Sequence, residues 1–378
     1  MAYQTTTKTS YGQRVGNSFR GILTGIILFV GATVLLWWNE GRAVKTDKML
    51  KQAEGQAVHV ENVAAMDHSY EGKLIHATAM AETSEHLTDP MNAIDVVAIR
   101  LDRNVEYYQW VEHSKTETKD KFGGGQETTT TYTYERKWTD NPIDSDKFND
   151  PKYRGKNTVN EQIEEASQLA TDVKFGAYTL PPFLVSQIPG DTPVEVPVKD
   201  TTAYKHVTGN TIYYGANQYR PQIGDVRVTY TMAESQEVSV MAVVSGATFD
   251  KFVAKNGYSL ALLQAGEVSM EDMFQQEHDT NKTLLWVFRL VGLLLVFFGL
   301  KGIVEIVITI LKVIPFVANI VNLAAGIVLA VVAFAWTMLV IAIAWLFYRP
   351  LLGILLLALG IGALVFFAGK GKKSEANA

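Results

Sequence analysis

Four apolar runs constrain this chain more than any other feature, because each is long enough to cross a bilayer. A hydrocarbon core about 30 Å thick takes roughly 20 apolar residues when they coil as a helix. Backbone groups in lipid must satisfy one another, so such runs fold as helices. Gly21 to Trp38 reads GILTGIILFVGATVLLWW and closes on a Trp pair suited to the membrane–water interface. Leu284 to Leu300 is the second run, about Ile320 to Phe347 the third, and Leu351 to Phe367 the fourth. A cleaved signal peptide is the competing reading of the first run. Its apolar core is long and no small-x-small cleavage site follows, so it is expected to be a retained anchor.

Between the third and fourth runs stands Tyr348-Arg349-Pro350. Proline cannot continue a helix, and arginine is costly at a bilayer centre. A tight turn with Arg349 at the headgroup level, and Pro350 opening the next span, satisfies both.

Positive charges near short loops mark the cytoplasmic side. Lys8, Arg14 and Arg20 precede span one, Lys301 and Lys312 follow span two, and Lys370, Lys372 and Lys373 follow span four. Arg42, Lys45, Lys48 and Arg349 count against this orientation. The balance predicts both termini in the cytoplasm. The expected layout is a cytoplasmic tail at 1–20, transmembrane helix 1 at 21–42, and an extracytoplasmic domain at 43–280. Helix 2 follows at 284–300, an interfacial amphipathic helix at 301–315, helix 3 at 316–347, helix 4 at 351–368, and a cytoplasmic tail at 369–378. The fold class is a multi-pass α-helical membrane protein with a large β-rich α+β domain, periplasmic or lumenal, inserted between spans 1 and 2.

The inserted region shows period-2 alternation. Asp225 to Met232 and Glu237 to Ser245 alternate cleanly, and the short link between them predicts an antiparallel hairpin. Leu74 to Met80 and Ile94 to Leu101 read as further strands. Asn104 to Glu117 and Thr128 to Trp138 predict a long ribbon, with Gly123, Gly124 and Gly125 relaxing the backbone at its tip. The tip lacks the pattern of a phosphate-binding loop, since threonines and a strand follow it. Tyr107, Trp110, Tyr132 and Tyr134 load both faces of the ribbon with aromatics, which makes them candidate contacts to a neighbouring subunit. Helical spacing predicts a helix over 159–170, a short one in LPPFLVSQIPG, and one opening at Ser269 with a capping box to Asp272.

Chemistry is sparse. The chain has 378 residues, a formal net charge of -5 and no cysteine, so disulfides, thiolate catalysis and Cys-ligated metals are excluded. Mild acidity gives no reason to expect nucleic acid as a ligand. Seven histidines show no ligand spacing, and His59 and His76 read as residues on strand faces. No nucleophile elbow, kinase set or dinucleotide fingerprint occurs. No catalytic, cofactor or metal residues are assigned, and no enzyme activity is expected.

The membrane part says more. Lys301, Glu305, Thr309 and Lys312 fall within about 80° of one another on a helix, a polar stripe that suits either the interface or an embedded path. Only about a dozen residues lie between Leu300 and Pro315, too few to span, which favours the interface. Gly21 and Gly25 form a GxxxG that lets a second helix approach, making them candidate oligomer contacts. Arg289, near the start of span two, is expected to snorkel outward.

Three stretches carry a family resemblance: LLWWNEGRAVKT (35–46), GDVRVTY (224–230) and AWLFYRPL (344–351). They resemble the signature segments of the transmembrane protein 43 (LUMA) family, as does the order of one span, a large domain and three spans. Within these stretches Trp37, Trp38, Asn39, Glu40, Gly41, Arg42, Arg349 and Pro350 are the candidate membrane and structural residues. The resemblance implies a non-enzymatic, self-associating membrane protein. In animals it implies the endoplasmic reticulum and inner nuclear membrane, with emerin and lamins as partners; a prokaryotic source would place the chain in the cell inner membrane. Membrane lipids, further copies of the chain and other membrane proteins are the expected partners. The leading expectation is a scaffold that organises membrane proteins. The alternative is a channel or transporter component using Lys301, Glu305, Asn319 and Asn322.

Overall fold

The computed structural model describes residues 2–197, 202, 204–311, 315–351 and 353–354. The chain forms two compact units. One is β-rich and gathers residues 1–6, 49–117 and 129–276; the other is helical and gathers 7–48, 118–128 and the residues from 277 onward.

Two larger sheets build the β-rich unit. We label β1 Tyr3–Thr9, β2 Val58–His59, β3 Leu74–Glu82, β4 Arg100–Asp120, β5 Gln126–Thr139, β6 Lys205–Thr208, β7 Thr211–Tyr214, β8 Val226–Ala233, β9 Gln236–Ser245, β10 Thr248–Asp250 and β11 Leu262–Ala265. The first sheet runs β1-β5-β4-β8-β7-β6. The second is centred on β3 and β9, with β2 parallel to β3, and β10 and β11 on β9. The inward faces are those that alternation predicts: Val226, Val228 and Tyr230 from β8 join Val238, Val240 and Ala242 from β9 in one core.

The strands at 225–232 and 237–245 form as expected, but not as a hairpin. Strand β8 is hydrogen-bonded on its two edges by β4 and β7, and β9 by β3, so the two diverge into different sheets. The expected strand over 94–101 is divided: Ile94–Val97 pairs with His86–Asp89, and β4 starts at Arg100. The expected helix over 159–170 is absent. Asn160 bonds Asp225 instead of capping a turn, and Ala166–Leu169 adds a strand to β4. Long-range strand pairing outweighs the weak helical preference of that segment.

The ribbon of β4 and β5 forms, and its aromatics have partners inside the chain. Tyr107 is buried in the main core and donates to the Ile163 carbonyl. Tyr134 stacks on Tyr153 at 4.1 Å and donates to Glu112, while Trp110 meets Tyr153 edge-on at 4.7 Å. Tyr132 lies 6.2 Å from Tyr3 of β1. Within the chain these four residues therefore meet the 145–157 loop, the core and the N-terminal strand, with Trp110, Tyr132 and Tyr134 remaining partly exposed.

Three helices are long and apolar enough to cross a membrane among the described residues. They are α1 Tyr11–Glu54, α2 Met270–Leu311 and α3 Pro315–Tyr348, leaving aside a one-turn helix at Pro182–Val185. The Ser269 hydroxyl caps α2 by accepting from the Asp272 amide, as its spacing predicts. No proline or glycine pair interrupts α2 at Leu300, so residues 301–311 continue the spanning helix where a separate interfacial helix was expected. Lys312 and nearly all of the fourth run, 352 and 355–378, lie outside the described residues.

One set of contacts was not expected. Gln4 and Thr6 bond Thr131 and Thr129 across β1 and β5, and Arg14 pairs with Asp120 at 2.8 Å near the ribbon tip. The N-terminal strand therefore lies against the ribbon formed by residues 100–139. Two threonine-rich strands separated by more than a hundred residues give no local sign that they pair.

Candidate functional site

The segment WWNEGRA lies inside α1, at the end of its apolar run. Placing Asn, Glu and Arg there is costly unless they are paired. Each is. Glu40, 1% exposed, accepts from Arg289 Nε at 2.7 Å and Nη2 at 2.9 Å, and from Trp345 Nε1 at 2.8 Å. The Arg289 guanidinium also lies over the rings of Trp286 at 4.7 Å and Trp345 at 5.8 Å. Planar, bidentate pairing and aromatic stacking are what arginine supplies and lysine does not.

Around this pair the polar bonds close on themselves. The Asn39 amide donates to the Leu285 carbonyl at 3.0 Å and accepts from Arg42. Arg42 donates to Asn281, whose amide donates in turn to the Ala43 carbonyl. Gly41 is small because of Tyr348: a Cβ at position 41 would lie 2.7 Å from its ring. Trp37 packs edge-on against Phe347 at 5.1 Å, and Trp38 against Phe288 at 5.9 Å. The junction thus ties α1, α2 and α3 together through one carboxylate. Both Glu40 oxygens are engaged, so the site holds helices in place and offers no carboxylate to a reacting group.

Arg289 does not snorkel outward; it turns inward because Glu40 supplies a buried counter-charge. Arg289, Trp345 and Asn281 were missed as partners of the motif. The available signal was a lone acid in span one and a lone base in span two. Arg349 forms the bend after α3, its amide donating to the Trp345 carbonyl at 2.8 Å and its carbonyl accepting from the Gly353 amide at 2.9 Å, and Pro350 follows in helical conformation.

At the opposite end of α1, the glycines are used within the chain. A Cβ on Gly25 would fall 2.7 Å from the Gly299 carbonyl and 2.8 Å from the Ile303 amide. The GxxxG surface therefore receives α2 at Gly25 within the chain. Beyond this crossing, Ser18 and Thr309 bond at 3.1 Å, and the Arg14 guanidinium also donates to the Gly124 carbonyl. A cavity of about 420 Å³ opens there, lined by Arg14, Asn17, Ser18, Lys301, Glu305 and Thr309 among others. Three of the four stripe residues thus border one cavity; the side chains of Asn319 and Asn322 lie outside the described residues.

The β-rich unit holds one histidine pair. Nδ1 of His59 and Nδ1 of His76 are 3.0 Å apart, and His76 Nε2 donates to the Val268 carbonyl at 2.9 Å. That bond leaves the neutral His76 ring with Nδ1 as its acceptor. Burial holds His76 below its usual pKa of 6.5. Among the described residues, no three His, Asp or Glu side chains converge as a metal site.

Comparison with known proteins supplies the family. The profile described as Transmembrane protein 43 matches residues 107–350. A rat protein of that name is 29% identical over 91% of this chain and 88% of its own length. The human protein is 28% identical over 95% and 92%, and a fruit-fly homolog 29% over 91% and 93%. No solved structure matches. With most of the chain covered, the protein belongs to the transmembrane protein 43 family.

Proposed function

We propose that the protein is a non-enzymatic integral membrane scaffold that self-associates and organises other membrane proteins, with the run at 351–368 as its fourth span. One observation carries this reading. Asn39, Glu40, Arg42, Asn281 and Arg289 turn toward one another, while large apolar side chains face outward on each of the three helices. Val34 on α1, Trp286 on α2 and Val331 on α3 are 62%, 65% and 64% exposed. Such a bundle offers surrounding helices and lipid a continuous apolar surface. The bundle is held internally by Glu40 and Arg289, so it keeps its shape while that surface is engaged. In an animal cell this surface would serve the endoplasmic reticulum and inner nuclear membrane, and in a prokaryote the inner membrane.

The cavity at Lys301, Glu305 and Thr309 favours a second reading, a channel or transporter component. A polar cavity at one end of the spans is what a path would require, although the Glu40 junction closes the other end with its charges matched.

Purification in mild detergent followed by mass measurement separates the two. A complex of several copies, or stoichiometric co-purification of membrane proteins, is expected. A single copy with nothing bound, together with ion flux in liposomes that Glu305→Gln abolishes, would replace the scaffold with the channel.

A further inference from the structure

His59 and His76 are register partners on the parallel strands β2 and β3, which sets the two rings side by side. Their Nδ1 atoms, 3.0 Å apart, border a cavity of about 540 Å³ that the 267–272 segment closes at the start of α2. We propose that this cavity binds a divalent transition-metal ion, Zn²⁺ being the type case, through Nδ1 of His59, Nδ1 of His76 and the carboxylate of Glu271. The bound ion would tie the strand pair to the first turn of α2. This site lies apart from the apolar helix surfaces behind the scaffold reading and stands independently of it.

Three observations carry the assignment. The first is orientation. His76 is 2% exposed, and its Nε2–H donates to the Val268 carbonyl at 2.9 Å. A histidine that binds metal through one ring nitrogen is usually held by such a bond from the other. The ring is thus fixed with the lone pair of Nδ1 toward His59.

The second is spacing. Two nitrogens bound tetrahedrally at zinc distances lie about 3.3 Å apart. The pair therefore has to open by only a few tenths of an ångström. His59 is exposed and stands on a two-residue strand, so its ring is the one that turns. Without metal, His59 Nδ1–H donates to His76 Nδ1. On binding, that proton passes through solvent to His59 Nε2, both rings stay neutral, and each Nδ1 gives its lone pair to the ion.

The third is charge. The described residues lining the cavity include the carboxylates of Glu267, Glu271 and Asp272 and no lysine or arginine. Asp272 is engaged by the Ser269 hydroxyl, whereas Glu267 and Glu271 are exposed and enter none of the described hydrogen bonds or ion pairs. Glu271 lies near enough for its charge to favour protonated His76. It completes the site by rotating its side chain, so two ligands converge before the ion arrives and the third follows it. Imidazole and carboxylate together suit zinc, copper or nickel, whereas calcium and magnesium take shells of oxygen. The rest of the cavity has room for the water that fills the fourth position.

The test is calorimetric titration of the full chain in mild detergent, carrying no polyhistidine tag and stripped with a chelator, at about pH 7.5, above the histidine pKa. Zn²⁺ should bind as one ion per chain and raise the melting temperature, while Ca²⁺ and Mg²⁺ do neither. Altering an outer partner of a metal ligand costs about 10–100-fold in affinity, so losing a ligand should cost at least about tenfold. His59→Ala and Glu271→Gln, both at exposed side chains, should each show that loss, and Zn²⁺ should no longer raise the melting temperature of His59→Ala. His113→Ala, at an exposed histidine paired with Glu135, should bind Zn²⁺ as the parent chain does. No saturable Zn²⁺ binding, or binding that survives His59→Ala, overturns the proposal. A loss in His113→Ala as large as in His59→Ala marks an adventitious surface chelate and overturns it equally. Full affinity in Glu271→Gln overturns the third ligand.

Discussion

Removing Glu40 should destabilise the helical unit as strongly as any single truncation in the spans. Glu40→Ala deletes the counter-charge of Arg289, whose side chain is only 11% exposed, and strands the Trp345 indole N–H. Breaking one side of a buried ion pair costs about 3–5 kcal/mol, because the remaining charge stays desolvated. For a chain of this size, that corresponds to a melting temperature lower by about 5 °C. Arg289→Ala strands a carboxylate that is 1% exposed and should cost as much. The double variant leaves neither charge alone, so its loss should fall short of the sum by about 2–3 kcal/mol. Arg289→Lys should lie between, since an ammonium cannot reproduce the two-point contact or the stacking on Trp286. Thermal unfolding of the full chain in one detergent, followed by tryptophan fluorescence, measures all four. Single losses that simply add in the double variant, to within about 0.5 kcal/mol, would refute the coupling.

Three shorter predictions test other parts of the structure. Gly25→Ala should cost about 1–3 kcal/mol by pushing α1 off α2, whereas Gly31→Ala, with nothing within 4 Å, should be neutral in the same melting assay. Cysteines can be placed at will in a chain that has none; one at Phe122 of the ribbon tip should react with an impermeant thiol reagent from the same side as one at Lys8, and opposite-side labelling would contradict the Arg14–Asp120 contact. Burial lowers the His76 pKa, so the unfolded chain takes up that proton first: the contribution is whole above pH 6.5 and is lost as pH falls below it. His59 faces His76 at 3.0 Å and opposes the second proton, while Glu271 favours it. His76→Gln should therefore flatten the fall in melting temperature between about pH 7 and about pH 5; an unchanged slope would exclude this pair as its source.

The apolar runs by themselves determined that this is a membrane protein with a β-rich insertion, because length and hydrophobicity act locally and need no partner. Alternation likewise located β3, β8 and β9, since a half-buried strand repeats every two residues wherever it sits. The family resemblance was legible in WWNEGRAV and WLFYRP, though not the reason for those residues. Only the tertiary structure brought Glu40 to Arg289 and Trp345, 249 and 305 positions away, and turned an arginine read as snorkelling into a buried partner. It also set Gly25 against the backbone of α2 and gave the ribbon aromatics partners within the chain. The difference has one physical cause. Burial patterns are written in neighbouring residues, whereas the energy of a buried charge or a bare glycine depends on what the fold places against it.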